Sequence, residues 1–381
     1  MEYIKRAIES DFEQYLMPNK VLVLLGARRV GKTELLKKQL SKIKEPHLFI
    51  NGESATYATV LSERTTENYL RMLGENKLLV IDEAQAVPEI GKILKLMVDE
   101  IEGIKIIATG SSVFDLENEL GEPLTGRDIP VKLFPLAQME LSQTENFVET
   151  KERLQERLVL GSYPEVFQYT GWDRKAQYVD RLVSSYLIRD ILTFEKLKKP
   201  DKIIRLLRLI AFQIGQEVSL PELGNQLGIS KNTVERYLDL LSKVFVIFKV
   251  DAYSKNPRKE ISKSSRWYFY DNGIRNTLIA NVNRLDLRND QGQLWENYLV
   301  SERLKYQSYK GMIVNNYFWR TYTQQEVDWV EERGGKIYGY EFKWNPKRIK
   351  GAPSAWKTLY PDADFITIHQ DNYLDFITDS I

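Results

Sequence analysis

Apolar residues follow two rhythms along this chain. In residues 1–135, short unbroken apolar runs alternate with stretches whose apolar positions recur every three to four residues. The strands built on these runs are expected at 21–25 (VLVLL), 47–51 (HLFIN), 77–82 (KLLVID) and 105–112 (KIIATGSS). Runs this short, closed by Gly or polar residues, read as buried strands. Helical spacing marks 34–40, 67–73 and 89–101. It also marks 3–16, through Ile4, Ala7, Ile8, Phe12, Tyr15 and Leu16. Strands alternating with helices predict an α/β domain with a parallel sheet covered on both faces.

From 136 to 199 the strand-like runs vanish. Residues 151–160 and 174–194 read as helices, and Gly161-Ser162-Tyr163-Pro164 breaks the chain between them. This stretch is expected to be a helical linker or lid. A further segment, 200–285, opens with an apolar helix at 202–214. Two short helices follow at 218–238, separated by Gly228-Ile229-Ser230. Pro221 at the start of the first and Ser230 as N-cap of the second suit a helix-turn-helix. Its core positions are Leu223, Leu227, Ile229, Val234, Leu238 and Leu241. Strands are expected at 244–253 and 266–270. The basic loop between them, with Lys255, Arg258, Lys259 and Lys263, resembles the wing of a winged helix. The last segment, 286–381, reads as a helix at 293–304 followed by strands at 313–319, 326–330 and 336–344, with a Gly334-Gly335 hairpin turn.

The first strand runs into Gly26-Ala27-Arg28-Arg29-Val30-Gly31-Lys32-Thr33, a full match to G-x-x-x-x-G-K-[ST]. A strand ends, backbone N–H groups wrap a phosphate, and a helix starts with its positive dipole end toward the anion. These eight residues and Glu34 are expected to line a nucleotide. Lys32 would reach the β- and γ-phosphates, and the Thr33 hydroxyl would meet Mg²⁺. About fifty residues on, the strand at 77–81 ends in Asp82 and Glu83. Asp82 is placed to hold Mg²⁺ through water, and Glu83 to orient or deprotonate the attacking water. Ser111 is the candidate γ-phosphate sensor, with Thr109 second and Gln85 a further group facing the phosphate; strand-end capping is the alternative. Arg127 is a candidate arginine finger, in cis or from a neighbouring subunit, with a surface ion pair as the alternative.

Strand period two puts Glu326 with Asp328, and Glu341 with Lys343, on shared faces. The hairpin would set Asp328 beside Glu341, and Glu296 on the preceding helix would complete an acidic cluster. Such carboxylates could hold a second divalent metal that activates water on a phosphodiester, with Lys343 stabilising charge. Cross-strand charge pairing on a polar face is the alternative. The second helix of the helix-turn-helix would offer Lys231, Asn232, Thr233, Glu235 and Arg236 to duplex DNA. Glu235 opposes phosphate, and such modules also bind proteins.

Composition narrows little further. At 381 residues the chain is expected to form roughly two to three domains. Lys plus Arg (54) balances Asp plus Glu (53), so only local basic patches can speak for nucleic acid. There is no cysteine, which excludes disulfides and thiolate metal sites, and two histidines make a His-based centre a poor fit. No apolar run reaches the ~20 residues of a membrane helix. The N-terminus lacks a signal-peptide core, so a cytoplasmic protein with no membrane partner is expected.

Together these motifs resemble bacterial and archaeal AAA-type ATPases that carry a C-terminal domain of unknown function. The resemblance rests on GARRVGKT, LLVIDEAQ, ATGSS, LTGR, FPLAQMEL, GSYPEV, YLIRDI, LGISKNTVERYLDLL, KNPRKEISKSSRWYFYDNGI, WENYLVSERL, EVDWV and YEFKW. It implies ATP and Mg²⁺ binding with hydrolysis, a winged helix, and a C-terminal fold similar to PD-(D/E)XK nucleases. Lys32, Thr33, Asp82 and Glu83 match its nucleotide motifs. Asp328, Glu341 and Lys343 match the nuclease-like signature, with Glu296 as its helix acid. Arg29 departs from the glutamine the resemblance implies. Two readings follow: an ATP-dependent DNA-processing or defence enzyme, or a nucleotide-dependent switch that binds a protein partner and has a silent nuclease fold. Either is compatible with an oligomer.

Overall fold

The computed structural model describes residues 3–111, 124–188, 191, 200–254, 264–349 and 351–379. The expected wing residues 255–263, Ser112 of the ATGSS motif, and parts of the helix expected at 174–194 lie outside them. The chain divides into two units. One comprises Lys5–Phe134 with Lys243–Phe245, and the other holds residues 1–4, Pro135–Ser242 and Val246–Ile381.

The first unit is built on five parallel strands, β1 (Lys20–Leu25), β2 (His47–Asn51), β3 (Leu78–Asp82), β4 (Lys105–Gly110) and β5 (Asp128–Lys132), in the order β2-β3-β4-β1-β5. Residues 21–25 and 78–81 are buried, as continuous apolar runs in a sheet covered on both faces should be. Helices α1 (Lys32–Leu40), α2 (Ala55–Ser62), α3 (Thr66–Leu73) and α4 (Ile90–Glu100) connect the strands. Because every pair is parallel, all carboxyl ends share one edge. Leu25 pairs with Gly110 and Lys132, and Ile81 with Ala108. The loops after β1, β3 and β4 therefore meet, the arrangement that places ligands in open α/β sheets.

The helix expected at 3–16 does not form. Two short 3-10 turns, Ala7–Glu9 and Phe12–Tyr15, replace it. Ser10 and Asp11 lie between them, and the Ser10 hydroxyl bonds the Ala7 carbonyl, a local bond that competes with helix. Arg6 is drawn inward to the loop after β1, and Phe12 is buried.

In the second unit, helices α5 (Gln138–Leu141), α6 (Phe147–Leu160) and α7 (Trp172–Arg181) precede α8 (Pro200–Phe212), α9 (Leu220–Leu227) and α10 (Lys231–Lys243). The two short helices expected at 218–238 form, with Ser230 capping the second as expected and Pro221 in the first turn of the first. Ser219 accepts from the Glu222 N–H, Gly228 closes α9 at φ +64°, and Ser230 accepts from the Thr233 N–H. A six-stranded sheet follows: β6 (Ile247–Ala252), β7 (Ser265–Phe269), β8 (Asn315–Arg320), β9 (Glu326–Arg333), β10 (Lys336–Phe342) and β11 (Asp364–Ile368). Its order is β11-β10-β9-β8-β6-β7. The boundary expected at 285/286 thus runs through one sheet. β6 pairs in parallel with β8 through Asp251 to Tyr317, so the hairpin read as a wing continues the C-terminal sheet. Period-two patterning marks each strand but carries no information on which strand it will join. Helix α11 (Asn272–Leu278) and the long α12 (Gln291–Tyr309) follow β7 in the chain. Trp319, Val327, Val330, Trp356 and Tyr360 form a core beside the sheet.

Candidate functional site

The phosphate loop leaves β1 at Gly26. A side chain there would lie 2.1 Å from the Leu133 carbonyl oxygen, so glycine is required by close approach. Arg29 and Gly31 both take positive φ, +66° and +96°, to turn the loop into α1. Lys32 is buried and donates to the carbonyls of Gly26 (2.7 Å) and Ala27 (3.1 Å), curling its ammonium inside the loop. Ala27 and Val30 are buried, while Arg28 lies 3.9 Å from Glu53. Glu34 points outward and pairs with Lys37 at 3.0 Å, so the structure sets it apart from the loop's interior.

Asp82 arrives at the same edge. Its Oδ2 accepts from the Thr33 hydroxyl at 2.8 Å, and its Oδ1 from Thr109 Oγ1 at 2.6 Å. Thr109 Oγ1 also accepts from the Glu83 N–H at 2.9 Å. Thr109 therefore orients the two acids. Glu83 sits at φ +52°, a left-handed conformation uncommon outside glycine, which turns its side chain off the strand direction. Gln85 Nε2 donates to the Glu83 carboxylate and, at 3.1 Å, to Ser111 Oγ. Gln85 Oε1 is buried and has no hydrogen-bond partner among the described residues.

Two residues change their expected standing. Arg127 precedes β5, so it lies at the amino edge of the sheet; its carbonyl accepts from the Val21 N–H at the start of β1. Its guanidinium is held by Asp99 at 2.6 and 3.1 Å. The phosphate loop is at the other end of β1, and the cis-finger expectation is corrected accordingly. Conversely, Arg6 has no motif to announce it. Its buried guanidinium donates to Val30 O (2.7 Å) and Phe134 O (2.6 Å), bracing the loop from below.

For Mg²⁺ beside a nucleotide, one hydroxyl and one carboxylate suffice because phosphates and waters complete the shell. Thr33 and Asp82 already share a hydrogen bond, so these residues fit that ion.

The C-terminal cluster has a different chemistry. Asp328 and Glu341 do lie on adjacent antiparallel strands, one residue past the Trp329–Tyr340 pair. Asp328 Oδ2 accepts from the Phe342 N–H at 2.8 Å, Glu341 pairs with Lys343, and Glu296 accepts from the Tyr268 hydroxyl at 2.7 Å. Arg266 enters from β7, with Nη1 3.6 Å from Glu296 and 4.0 Å from Asp328, and Nη2 2.9 Å from Glu326. Burial pushes the Asp328 carboxyl well above the carboxylate range, and the charges of Glu296 and Glu341 add to it. Burial likewise raises Glu296, against the opposing charge of Arg266. For Lys343 burial works downward, but the Glu341 hydrogen bond and the Asp328 charge outweigh it and leave the amine raised. Glu341 Oε2 is buried and has no hydrogen-bond partner among the described residues. Among the described residues no three carboxylate or imidazole groups are arranged to hold one metal ion. Glu296, Asp328 and Glu341 as found do not fit the expected second metal.

Residues 18–142 match the AAA domain family. Residues 151–288 match a domain of unknown function (DUF8612) and residues 291–374 another (DUF4143). An uncharacterised protein of Mycobacterium tuberculosis is 28% identical over 328 residues, 85% of this chain and 70% of that protein. One from Methanocaldococcus jannaschii is 26% identical over 352 residues, 87% of this chain and 76% of its own. Among solved structures, the chain is similar to the Walker-type ATPase of Pyrococcus abyssi (TM-score 0.48, 18% identity, 72% of this chain and 94% of that one). No helix among the described residues is long and apolar enough to cross a membrane.

Proposed function

We propose that the protein is a Mg²⁺-dependent ATPase whose nucleotide state controls the helix-turn-helix and the C-terminal sheet. The observation that carries this reading is the convergence of Thr33, Asp82 and Thr109 on one hydrogen-bonded chain beside the phosphate loop. In this reading the loop amides and Lys32 hold the phosphates, and Thr33 with Asp82, the latter through water, would hold Mg²⁺, which would supply charge neutralisation to the phosphates. Glu83 takes a proton from water. The water oxygen bonds to the γ-phosphorus, the bond to the β–γ bridging oxygen breaks, and ADP leaves with phosphate. Gln85 keeps the Glu83 carboxylate aimed, and its open Oε1 accepts a hydrogen bond from the other O–H of that water, which stays on the oxygen as phosphate forms. Ser111, tied to Gln85, reads the γ-phosphate. Lys32→Ala should lose nucleotide binding, and Glu83→Gln should bind ATP without turnover. Wild-type hydrolysis in both variants would overturn the reading.

For the helix-turn-helix we propose duplex DNA, through Lys231, Asn232, Thr233 and Arg236. Arg205 and Arg208 support this reading. Both are exposed on α8 and, with Leu209 of the same helix, line a cleft with Gln226 and Leu227 of α9. Phosphate contacts of this kind position a module without reading sequence. A salt-sensitive duplex shift that survives Lys231→Glu with Arg236→Glu would remove α10 from this account.

A second reading, a switch that binds a protein partner and does not cut, is favoured by the C-terminal carboxylates, which already have protein donors. Plasmid cleavage with Mg²⁺ or Mn²⁺ separates the two. Any cutting must vanish in Lys343→Ala for a nuclease reading to stand.

A further inference from the structure

We propose that Arg266 stands in for a divalent cation at the centre of the C-terminal carboxylate cluster. The nuclease-shaped site is then held by an internal guanidinium and takes a metal only when that arginine is removed. This goes beyond the ATPase reading and does not depend on it.

The geometry is that of a cation site. Arg266 is 4% exposed and meets carboxylates from two elements: Glu296 of α12, and Glu326 and Asp328 of β9. The Phe318 ring lies 4.4 Å from its guanidinium carbon and closes one face. The arginine is not a mobile surface group that has fallen inward. Its backbone pairs with Val250 in the β6–β7 hairpin and bridges to Glu217. An arginine cannot yield the position by losing its proton, because its guanidinium stays charged under all ordinary conditions.

A divalent ion ligated by Glu296 and Asp328 needs their oxygens within about 2.0–2.6 Å. The Arg266 Nη1 atom already lies near both of those carboxylates, at 3.6 and 4.0 Å. Two cations would then share a buried site a few ångströms apart, where like charges are poorly screened. The remaining carboxylate oxygens offer little compensation. Asp328 Oδ2 is engaged by the Phe342 amide, and Glu341 holds Lys343. Among the described residues, Glu341 Oε2 and Arg266 Nε are buried and have no hydrogen-bond partner. With the guanidinium gone, the Lys343 amine would be left facing Glu296, Asp328 and Glu341 together, one positive charge against three carboxyl groups, and a divalent ion is the natural replacement.

The test is a Mn²⁺ titration of the full nucleotide-free chain, read by electron paramagnetic resonance. Wild type and Asp328→Asn should bind the same number of ions, because no ion uses Asp328. Arg266→Met should gain one site, at least tenfold tighter than any in wild type, and Arg266→Met with Asp328→Asn should lose it. Arg266→Gln, which keeps hydrogen-bond donors without charge, should gain the site too and serves where the methionine variant fails to fold. A Mn²⁺ site in wild type that Asp328→Asn removes would overturn the proposal. So would a folded, charge-neutral variant at 266 that gains no ion. ATP turnover is unaffected by either outcome, so failure here is distinguishable from failure of the ATPase reading.

Discussion

Thr109 donates its hydroxyl to Asp82 at 2.6 Å across neighbouring strands and, through the same oxygen, accepts the N–H of Glu83. One side chain thus sets both acids of the nucleotide site. Thr109 is wholly buried, so neither bond has water as a substitute.

Thr109→Val keeps the shape and removes both bonds. A hydrogen bond to a charged group is worth about 1.5–3 kcal/mol. Affinity for Mg-ATP should therefore fall by roughly ten- to a hundredfold, while ATP without Mg²⁺ should bind nearly as before. Calorimetry with and without Mg²⁺ reads the difference, and equal losses in both would dissociate Thr109 from the metal.

Gln85 ties Glu83 to Ser111 through one amide nitrogen. Gln85→Met fills similar space and offers neither donor nor acceptor. Its kcat should drop at least ~10-fold, as expected when a water-positioning group is lost, with the dissociation constant for ATP unchanged. Phosphate release and nucleotide titration together check this, because a merely structural defect would weaken binding as well.

Arg127 is engaged by Asp99 at the amino edge of the sheet. Arg127→Ala should leave ATP turnover within about twofold and lower stability by no more than ~1 kcal/mol, since half-exposed ion pairs contribute little. A loss of ~10³ in kcat, the scale of a true finger, would return the residue to the active site from a neighbouring subunit.

Glu331 tests the scaffold of the C-terminal sheet. It is fully buried and accepts from Arg303 at 2.6 and 2.9 Å, from Gln307 at 2.8 Å and from Trp329 at 3.1 Å. Burial raises its pKa, but Arg303 and the other donors outweigh that and leave it depressed. A depressed carboxyl stabilises the fold above its unfolded pKa of about 4.3 and loses that contribution as pH falls through the folded value. Glu331→Gln should cost about 3–5 kcal/mol at pH 7 by leaving Arg303 buried without its counter-charge. Urea unfolding at pH 7 and below pH 4 should show that gap narrowing in acid.

Much of the site was legible because its motif is local. Gly26 to Thr33 lie within eight residues, and their roles follow from one strand, one turn and one helix start. Asp82 and Glu83 end an apolar run, which is where a parallel sheet brings its loops together. The placement of Arg127 is legible too, because it directly precedes a strand of the parallel sheet. A residue just before a parallel strand lies at the amino edge, away from the phosphates. Arg6 and Arg266 had no such signal. Arg6 reaches Val30 across 24 positions, and Arg266 reaches Glu326 across 60, so nothing local marks either one.

The order of apolar and polar residues was enough to specify the parallel sheet, the phosphate loop and the helix-turn-helix, since each depends on interactions within a few turns of chain. Only the folded molecule decided that β6 and β7 extend the C-terminal sheet, that Gln85 joins Glu83 to Ser111, and that an arginine sits among the carboxylates. Strand partners and side-chain neighbours are chosen by packing between distant segments, and periodicity along the chain does not encode that choice.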